Sequence, residues 1–332
     1  MADNPIPVDA PLVAEADDWS DVDSGLGSSI VISMRSIAES IRKHREENGR
    51  TYHKFKEEKG YILPNDETEI DRLDLQHHLF GLTFNNRLHL CPAGKENKLH
   101  RALDAGTGTG IWAIDFADEH PECEVLGIDL SPMQPSFLPP NLVFQLDDLE
   151  EPWRFNFKFD FIYTRMMTGA FSDWPKYFNQ AFENLNPGGY IELADCTYPF
   201  IADDPSLSKD SALTKWCQLM MDGCAAMGRP IDSAVRYKAQ LEDAGFTDVV
   251  ELKYKWPLNR WPKDKKAKEL GMWTHENMYG GLLGFSLAIF TRILGWTREG
   301  TEVFIAEVQK EVRDHKIHSY APIYVVYGKK PE

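Results

Sequence analysis

The 332-residue chain reads as an α/β protein built on a mostly parallel sheet, with an N-terminal helical extension and a helical insertion before the last strand. From about residue 100, short apolar runs alternate with stretches of helical period, the signature of βα units. A glycine-rich turn joins the first such run to the helix after it. The last two apolar runs are separated by residues 257–320, which are mostly helical in pattern.

Residues 1–27 carry seven acidic side chains and no basic one among Asp, Ala, Pro, Ser and Gly, and are expected to form a disordered acidic tail. Residues 28–90 are expected to form the helical extension. In it, Ile30, Val31, Met34, Ile37, Ala38 and Ile41 predict a helix over 28–47, and Ile70, Leu73, His77 and Phe80 mark one side of a second helix over about 66–84. The remaining residues, 91–332, are expected to form the catalytic domain. Strands are predicted at 101–104, 124–129, 142–146, 159–163, 190–196, 249–256 and 323–327, with helices near 109–119, 173–185 and 233–244. Gly245 suits the left-handed stop of the third of these helices.

Composition narrows the function. With 52 acidic and 36 basic residues the chain has a net charge of −16, which repels phosphate backbones and argues against a nucleic-acid partner. A hydrophobic content of 42% excludes wholesale disorder. The N-terminus has neither the basic nor the apolar region of a secretory leader, and the longest nearly apolar run, 280–290, is too short to span a bilayer. Cys91, Cys123, Cys196, Cys217 and Cys224 are scattered without a C-x-x-C pair, which is neither a disulfide framework nor a zinc pattern. The expectation is a cytoplasmic protein with reduced thiols, no metal and no membrane contact.

The glycine turn is Leu103-Asp104-Ala105-Gly106-Thr107-Gly108-Thr109-Gly110. Glycines let the backbone turn tightly and approach a ligand, and the free N–H groups of the following helix face it. A dinucleotide fingerprint would need glycine at 111, where Ile111 stands. Asp104, ahead of the first glycine, disfavours a pyrophosphate and suits a ligand bearing an ammonium group. Asp129, at the end of the second strand in Gly127-Ile128-Asp129-Leu130, is placed to accept both hydroxyls of a ribose. After the third strand, Asp147-Asp148-Leu149 offers a carboxylate to an adenine amino group and an apolar cover to the ring. Three acidic positions at successive strand ends describe a nucleoside with an amino-acid tail, S-adenosylmethionine. The expected cofactor contacts are Asp104, Gly106, Thr107, Gly108, Gly110, Asp129, Leu130, Asp147, Asp148 and Leu149.

On these residues the chain resembles the class I (Rossmann-like) S-adenosylmethionine-dependent methyltransferases, and within them the fungal LaeA-like group. The resemblance runs from about Tyr52 to the C-terminus. It continues through Glu151-Pro152-Trp153, Asn186-Pro187-Gly188-Gly189-Tyr190-Ile191-Glu192, Gly295-Trp296 and Tyr324-Val325-Val326-Tyr327-Gly328, and upstream through Asp71-Arg72-Leu73-Asp74-Leu75-Gln76-His77-His78. It implies a seven-stranded sheet whose last strand is antiparallel, and cofactor contacts from Asp104, Gly106, Gly108, Asp129 and Asp148. It leaves two functions open, because members of the group serve as tailoring methyltransferases or as regulators of secondary metabolism. In the first, the partner is a small-molecule acceptor methylated on oxygen or nitrogen; in the second, regulatory proteins are the partners and the location is nuclear.

Acceptor-site candidates follow from the rule that ligands bind beyond the carboxyl ends of parallel strands. Arg165, after the fourth strand, is suited to hold a substrate or cofactor carboxylate as a bidentate fork, or to form an ordinary salt bridge. Met166 and Met167 offer adaptable apolar walls or core packing. Asp195 either faces the pocket or caps a helix. His275, beside Glu276 in the helical insertion, is a candidate general base, and His77 and His78 on the N-terminal helix are its rivals. Trp112, Tyr163, Phe171, Trp174, Trp273 and Tyr279 are divided between a ring-shaped pocket and the core. The lysines at 263, 265, 266 and 268 read as a solvated helix start.

Overall fold

The computed structural model describes residues 44–53, 62–95 and 98–332. The expected acidic tail, and the expected first helix up to residue 43, lie outside them. The last stretch of that helix is instead a strand: β1 (His44–Glu47) pairs antiparallel with β2 (Arg50–His53). The reason is local. Asn48 and Gly49 both adopt positive φ, 52° and 78°, which is the two-residue turn that an Asn-Gly pair favours in a hairpin.

α1 (Glu67–Phe84) follows, with Asp66 as its N-cap accepting from the Glu69 amide at 3.1 Å. The same Asp66 carboxylate pairs with Arg50 at 2.5 and 2.8 Å, so one residue fastens both the hairpin and the helix start. The buried side of α1 is not the apolar side expected. Glu69, Arg72, Gln76, Leu79, Phe80, Thr83 and Phe84 are buried, whereas Ile70, Leu73 and His77 are only partly covered.

Seven strands form the main sheet: β3 (Arg101–Ala105), β4 (Glu124–Asp129), β5 (Leu142–Leu146), β6 (Phe159–Arg165), β7 (Leu185–Cys196), β8 (Thr247–Pro257) and β9 (Tyr320–Lys329). Their order is β5-β4-β3-β6-β7-β9-β8. The first five are parallel to their neighbours, and β9 alone runs antiparallel, between β7 and β8. The expected class I sheet with an antiparallel last strand is therefore present.

Four helices connect the strands. α2 (Ile111–Glu119) begins two residues later than expected because Gly110, its N-cap, sits at φ 83°. α3 (Trp174–Asn184) is capped by Asp173. α4 (Ala212–Ala226), between β7 and β8, was not anticipated although Leu213, Trp216, Cys217, Met220 and Cys224 recur at helical spacing. The expected 233–244 helix is a 3₁₀ turn (Ser233–Arg236) continued by α5 (Tyr237–Asp243), and it stops at Gly245 with φ 99°. The insertion is helical as expected. α6 (Lys265–Ala288) runs into a π turn (Ile289–Ile293), and α7 (Arg298–Arg313) follows. Asp264 caps α6, so the lysine cluster is the helix start that was read. No described helix is long and apolar enough to cross a membrane.

Alternating strand residues bury opposite faces. On β6, Ile162 joins the cluster under α3 and α5, while Phe161 and Tyr163 join Trp112 and Phe116 of α2. A third cluster combines Phe80 and Phe84 of α1, Trp216 of α4, Ile305 and Val308 of α7, and Ile323 and Val325 of β9. It packs the N-terminal helix and the insertion over one end of the sheet. Strand order reverses beside β3, with β4 on one side and β6 on the other. A crevice at that reversal is where open α/β sheets receive ligands.

Candidate active site

The loop leaving β3 is fixed from both sides. The amides of Gly106 and Thr107 both donate to the Ile128 carbonyl at 2.9 Å, tying the loop to β4. Gly106 lies at φ 82°, and a Cβ there would run into the Met167 side chain. That position needs glycine for both conformation and space. On the far side, the Thr109 hydroxyl donates to Asp74 of α1 at 2.8 Å.

The three expected carboxylates converge on one cavity, with different surroundings. Asp104, 3% exposed, accepts a 2.6 Å bond from the Thr107 hydroxyl. Burial pushes its carboxyl up to about 6. Asp129 accepts from the Gly108 amide at 2.8 Å and the Ser131 amide at 2.9 Å, which fixes the side chain and leaves each oxygen a further lone pair. Burial raises this carboxyl too. Asp148 is buried and accepts from the Glu150 amide at 2.9 Å, with the buried Leu149 beside it. Gly106, Thr107, Gly108, Leu130, Asp147 and Leu149 line the same cavity. Asp147 is exposed and accepts from the Asp148 amide at 2.8 Å, so it shapes the turn. Gly110 is not in the lining. Its place is structural, since a Cβ there would strike the Phe144 ring.

Arg165 ends β6 and also faces the cavity. It makes no ion pair among the described residues. Its guanidinium lies 5.0 Å from the Phe80 ring centroid, and one nitrogen is 3.2 Å from Nδ1 of His77. A guanidinium only donates, so Nδ1 of His77 accepts and the ring proton sits on Nε2. That Nε2 lies 3.0 Å from the Asp115 carboxylate, completing a chain from α2 through α1 to β6. Burial, reinforced by Arg165, depresses His77 to about 3, so the ring is neutral. His77, expected as a candidate general base, lies outside the lining and meets Arg165 instead.

His275, also expected as a candidate general base, lies outside the lining too. Successive helical residues point about 100° apart. Thr274, Asn277 and Met278 face the cavity, and His275 does not. Its ring stacks on Tyr279 at 5.4 Å. His78 is exposed and meets Trp273 edge-on at 5.0 Å. Asp195 neither lines the pocket nor caps a helix. Fully buried, it accepts from the Tyr237 hydroxyl at 2.8 Å and the Thr168 amide at 3.1 Å, holding the turn after β6. Of the aromatic set, Trp112 and Phe171 reach the cavity; Tyr163, stacked 4.0 Å from Trp112, and Trp174 belong to the core.

The sequence reading missed the far half of the cavity. It is lined by Glu69, Arg72 and Gln76 of α1, Met220 and Cys224 of α4, Trp256 of β8, and Asn277 and Met278 of α6. Arg72 is bidentate with Glu69 at 2.7 and 3.0 Å and donates to Asn277 at 2.8 Å, which closes α6 against α1. A signal was available. Polar residues recur at 69, 72 and 76, a helical stripe next to the apolar side at 79, 80 and 84.

Comparison with known proteins decides the family. A methyltransferase-domain family profile matches residues 75–252. Methyltransferase pytC of Aspergillus terreus is 36% identical over 300 residues, covering 90% of this chain and 92% of that protein. The secondary metabolism regulator LAE1 of Cochliobolus heterostrophus is 38% identical over 292 residues, with 86% and 94% covered. The protein-methionine methyltransferase laeA of Emericella nidulans is 34% identical over 308 residues, with 92% and 81% covered. The chain is an S-adenosylmethionine-dependent methyltransferase. The methyltransferase's cavity brings together a buried carboxylate at Asp104 with a single hydroxyl partner, and fixed carboxylates at Asp129 and Asp148 beside the apolar Leu149.

Proposed function

We propose that this methyltransferase acts in the cytoplasm on an oxygen or nitrogen of a small-molecule intermediate of secondary metabolism. The observation that carries the reading is the cavity's shape. The cofactor half continues into a chamber roofed by α1, α4 and α6, a place for a small acceptor. In this reading Asp104 holds the cofactor ammonium, Asp129 the ribose hydroxyls, and Asp148 with Leu149 the adenine. Arg165, steadied by His77, holds the carboxylate.

When bound, S-adenosylmethionine would supply an electrophilic methyl on a cationic sulfur to the acceptor's lone pair, leaving S-adenosylhomocysteine. The protein contributes alignment, worth on the order of 7–11 kcal/mol when two reactants are held at near-contact distance.

A second reading, a LaeA-type regulator acting through protein partners, is favoured by the 38% identity to LAE1. Calorimetric titration with S-adenosylhomocysteine and a screen of candidate acceptors for a methyl-sized mass increment separate the cases. Binding and methylation of a small molecule are expected. Cofactor binding without any small-molecule product, together with a stable protein complex in pull-downs, would favour the regulator. The Asp129→Ala variant is expected to lower S-adenosylhomocysteine affinity about tenfold, by loss of charge-assisted hydrogen bonds to the ribose; unchanged affinity would refute that contact.

A further inference from the structure

Charge inside the cavity is divided sharply. On the cofactor side stand Asp104, Asp129, Asp147, Asp148 and Arg165, each with a counterpart on the cofactor or a place on the rim. On the acceptor side each charged side chain among the described residues is already neutralised by a neighbour. Glu69 is spanned by both arms of Arg72, and Glu150 is paired with Arg229 at 2.6 Å. The remaining capacity of Arg72 goes to Asn277 and to the face of the Phe285 ring, 4.7 Å away. With Arg165 engaged by the cofactor, a charged acceptor entering this space would shed its water and meet no unpaired counter-ion among the described residues, so it would bind poorly.

The walls fix the shape. Tyr198 and Phe200 stack at 4.8 Å on one side, and Trp256, Met220 and Met278 complete an apolar enclosure suited to a flat ring system. Among the described residues that line it, the Gln76 carboxamide, the Tyr198 hydroxyl and the Asn277 side-chain nitrogen have no hydrogen-bond partner. Gln76 is 5% exposed and lines the cavity, and its carboxamide makes no hydrogen bond among the described residues. It sits one helical turn beyond Arg72 and one turn before Phe80, whose ring meets Trp256 edge-on at 4.8 Å, so it belongs to the acceptor side. Its amide atoms are open to the cavity, where a ligand is placed to satisfy them.

We propose that the acceptor is an uncharged, ring-bearing molecule whose hydroxyl or carbonyl edge is read by the Gln76 carboxamide, and that acceptors bearing ammonium, carboxylate or phosphate groups are rejected. This deepens, and rests on, the small-molecule reading above. It selects within secondary metabolism for polycyclic or aromatic intermediates and against amino acids, nucleotides and phosphorylated bases.

The test uses the full chain loaded with S-adenosylhomocysteine and four probes sharing one ring body: 2-naphthol, 2-methylnaphthalene, 2-naphthoate and 2-naphthylmethylammonium, titrated calorimetrically at neutral pH. The two neutral probes are expected to bind at least tenfold more tightly than the two ions. Gln76→Leu should weaken 2-naphthol about tenfold, one hydrogen bond's worth, and leave 2-methylnaphthalene unchanged. Gln76→Met, closer in shape, repeats the comparison should the leucine variant misfold. Tighter binding of either ion, binding of none of the four probes, or equal loss of both neutral probes in the Gln76 variants overturns the proposal. Failure of the unmodified protein to bind S-adenosylhomocysteine overturns instead the cofactor assignment beneath it.

Discussion

A carboxylate sealed from water with one hydroxyl for company is a reluctant anion, and Asp104 shows what that implies for binding. Its pKa near 6 falls on the approach of an ammonium group, so the cofactor binds the charged form. Affinity for S-adenosylhomocysteine is therefore expected to be level above about pH 6 and to fall as pH drops through that value, when the free protein takes up a proton that binding must expel. Asp104→Asn should bind more weakly and lose the inflection; an unchanged pH profile in that variant would place the titration elsewhere. His77 makes the opposite prediction. Because the ring is neutral far below physiological pH, His77→Leu should weaken binding severalfold by freeing Arg165, with no change in pH dependence between about 5 and 8. Asp104 was readable because its place in D-x-G-x-G-x-G carries its chemistry. The role of His77 was not, since it depends on Asp115 and Arg165 arriving from two other elements.

Elements show where local pattern and tertiary demand part company. α1 looks amphipathic around Ile70, Leu73 and His77, yet it turns its polar stripe inward because that stripe faces a cavity rather than a core. Its buried pair is expected to be sensitive to half-removal. Arg72→Leu leaves Glu69 charged and uncompensated and should cost on the order of 3–5 kcal/mol in urea unfolding, whereas the double variant Glu69→Leu/Arg72→Leu should recover much of that loss. Equal losses in the single and double variants would show that the pair is uncoupled. The hairpin of β1 and β2 was masked for a simpler reason: apolar residues of helical period upstream outweighed a two-residue Asn-Gly turn whose left-handed φ values set the local structure. The central strands of the sheet posed no such conflict, because the near-continuous apolar runs of β3, β6 and β7 answer to burial on both faces.

At the scale of the molecule, one reversal of strand order sets everything else. β3 leads to β4 and β5 on one side and to β6 and β7 on the other, so the loops after β3, β4, β5 and β6 open onto one crevice. The N-terminal helix and the insertion then close over it from the β7–β9–β8 end. A ligand gripped by this many separate elements stabilises all of them. S-adenosylhomocysteine at a hundred times its dissociation constant is expected to add about 2.7 kcal/mol to unfolding and to raise the melting temperature by several degrees; a melting point indifferent to the ligand would contradict the assigned site.

What the amino-acid order determined by itself was the sheet and the gathering of strand-end carboxylates around the glycine turn. The glycine spacing, the strand-end carboxylates and the apolar periods are local, and their chemistry is carried within a few residues of one another. What only the tertiary structure decided was the acceptor half. Gln76, Asn277, Met220 and Trp256 come from four elements spread over two hundred residues. Whether a buried arginine is a ligand's anchor or a neutralised neighbour, and whether a histidine is a base or a brace, depends on distances of about 3 Å that exist only once the chain has folded.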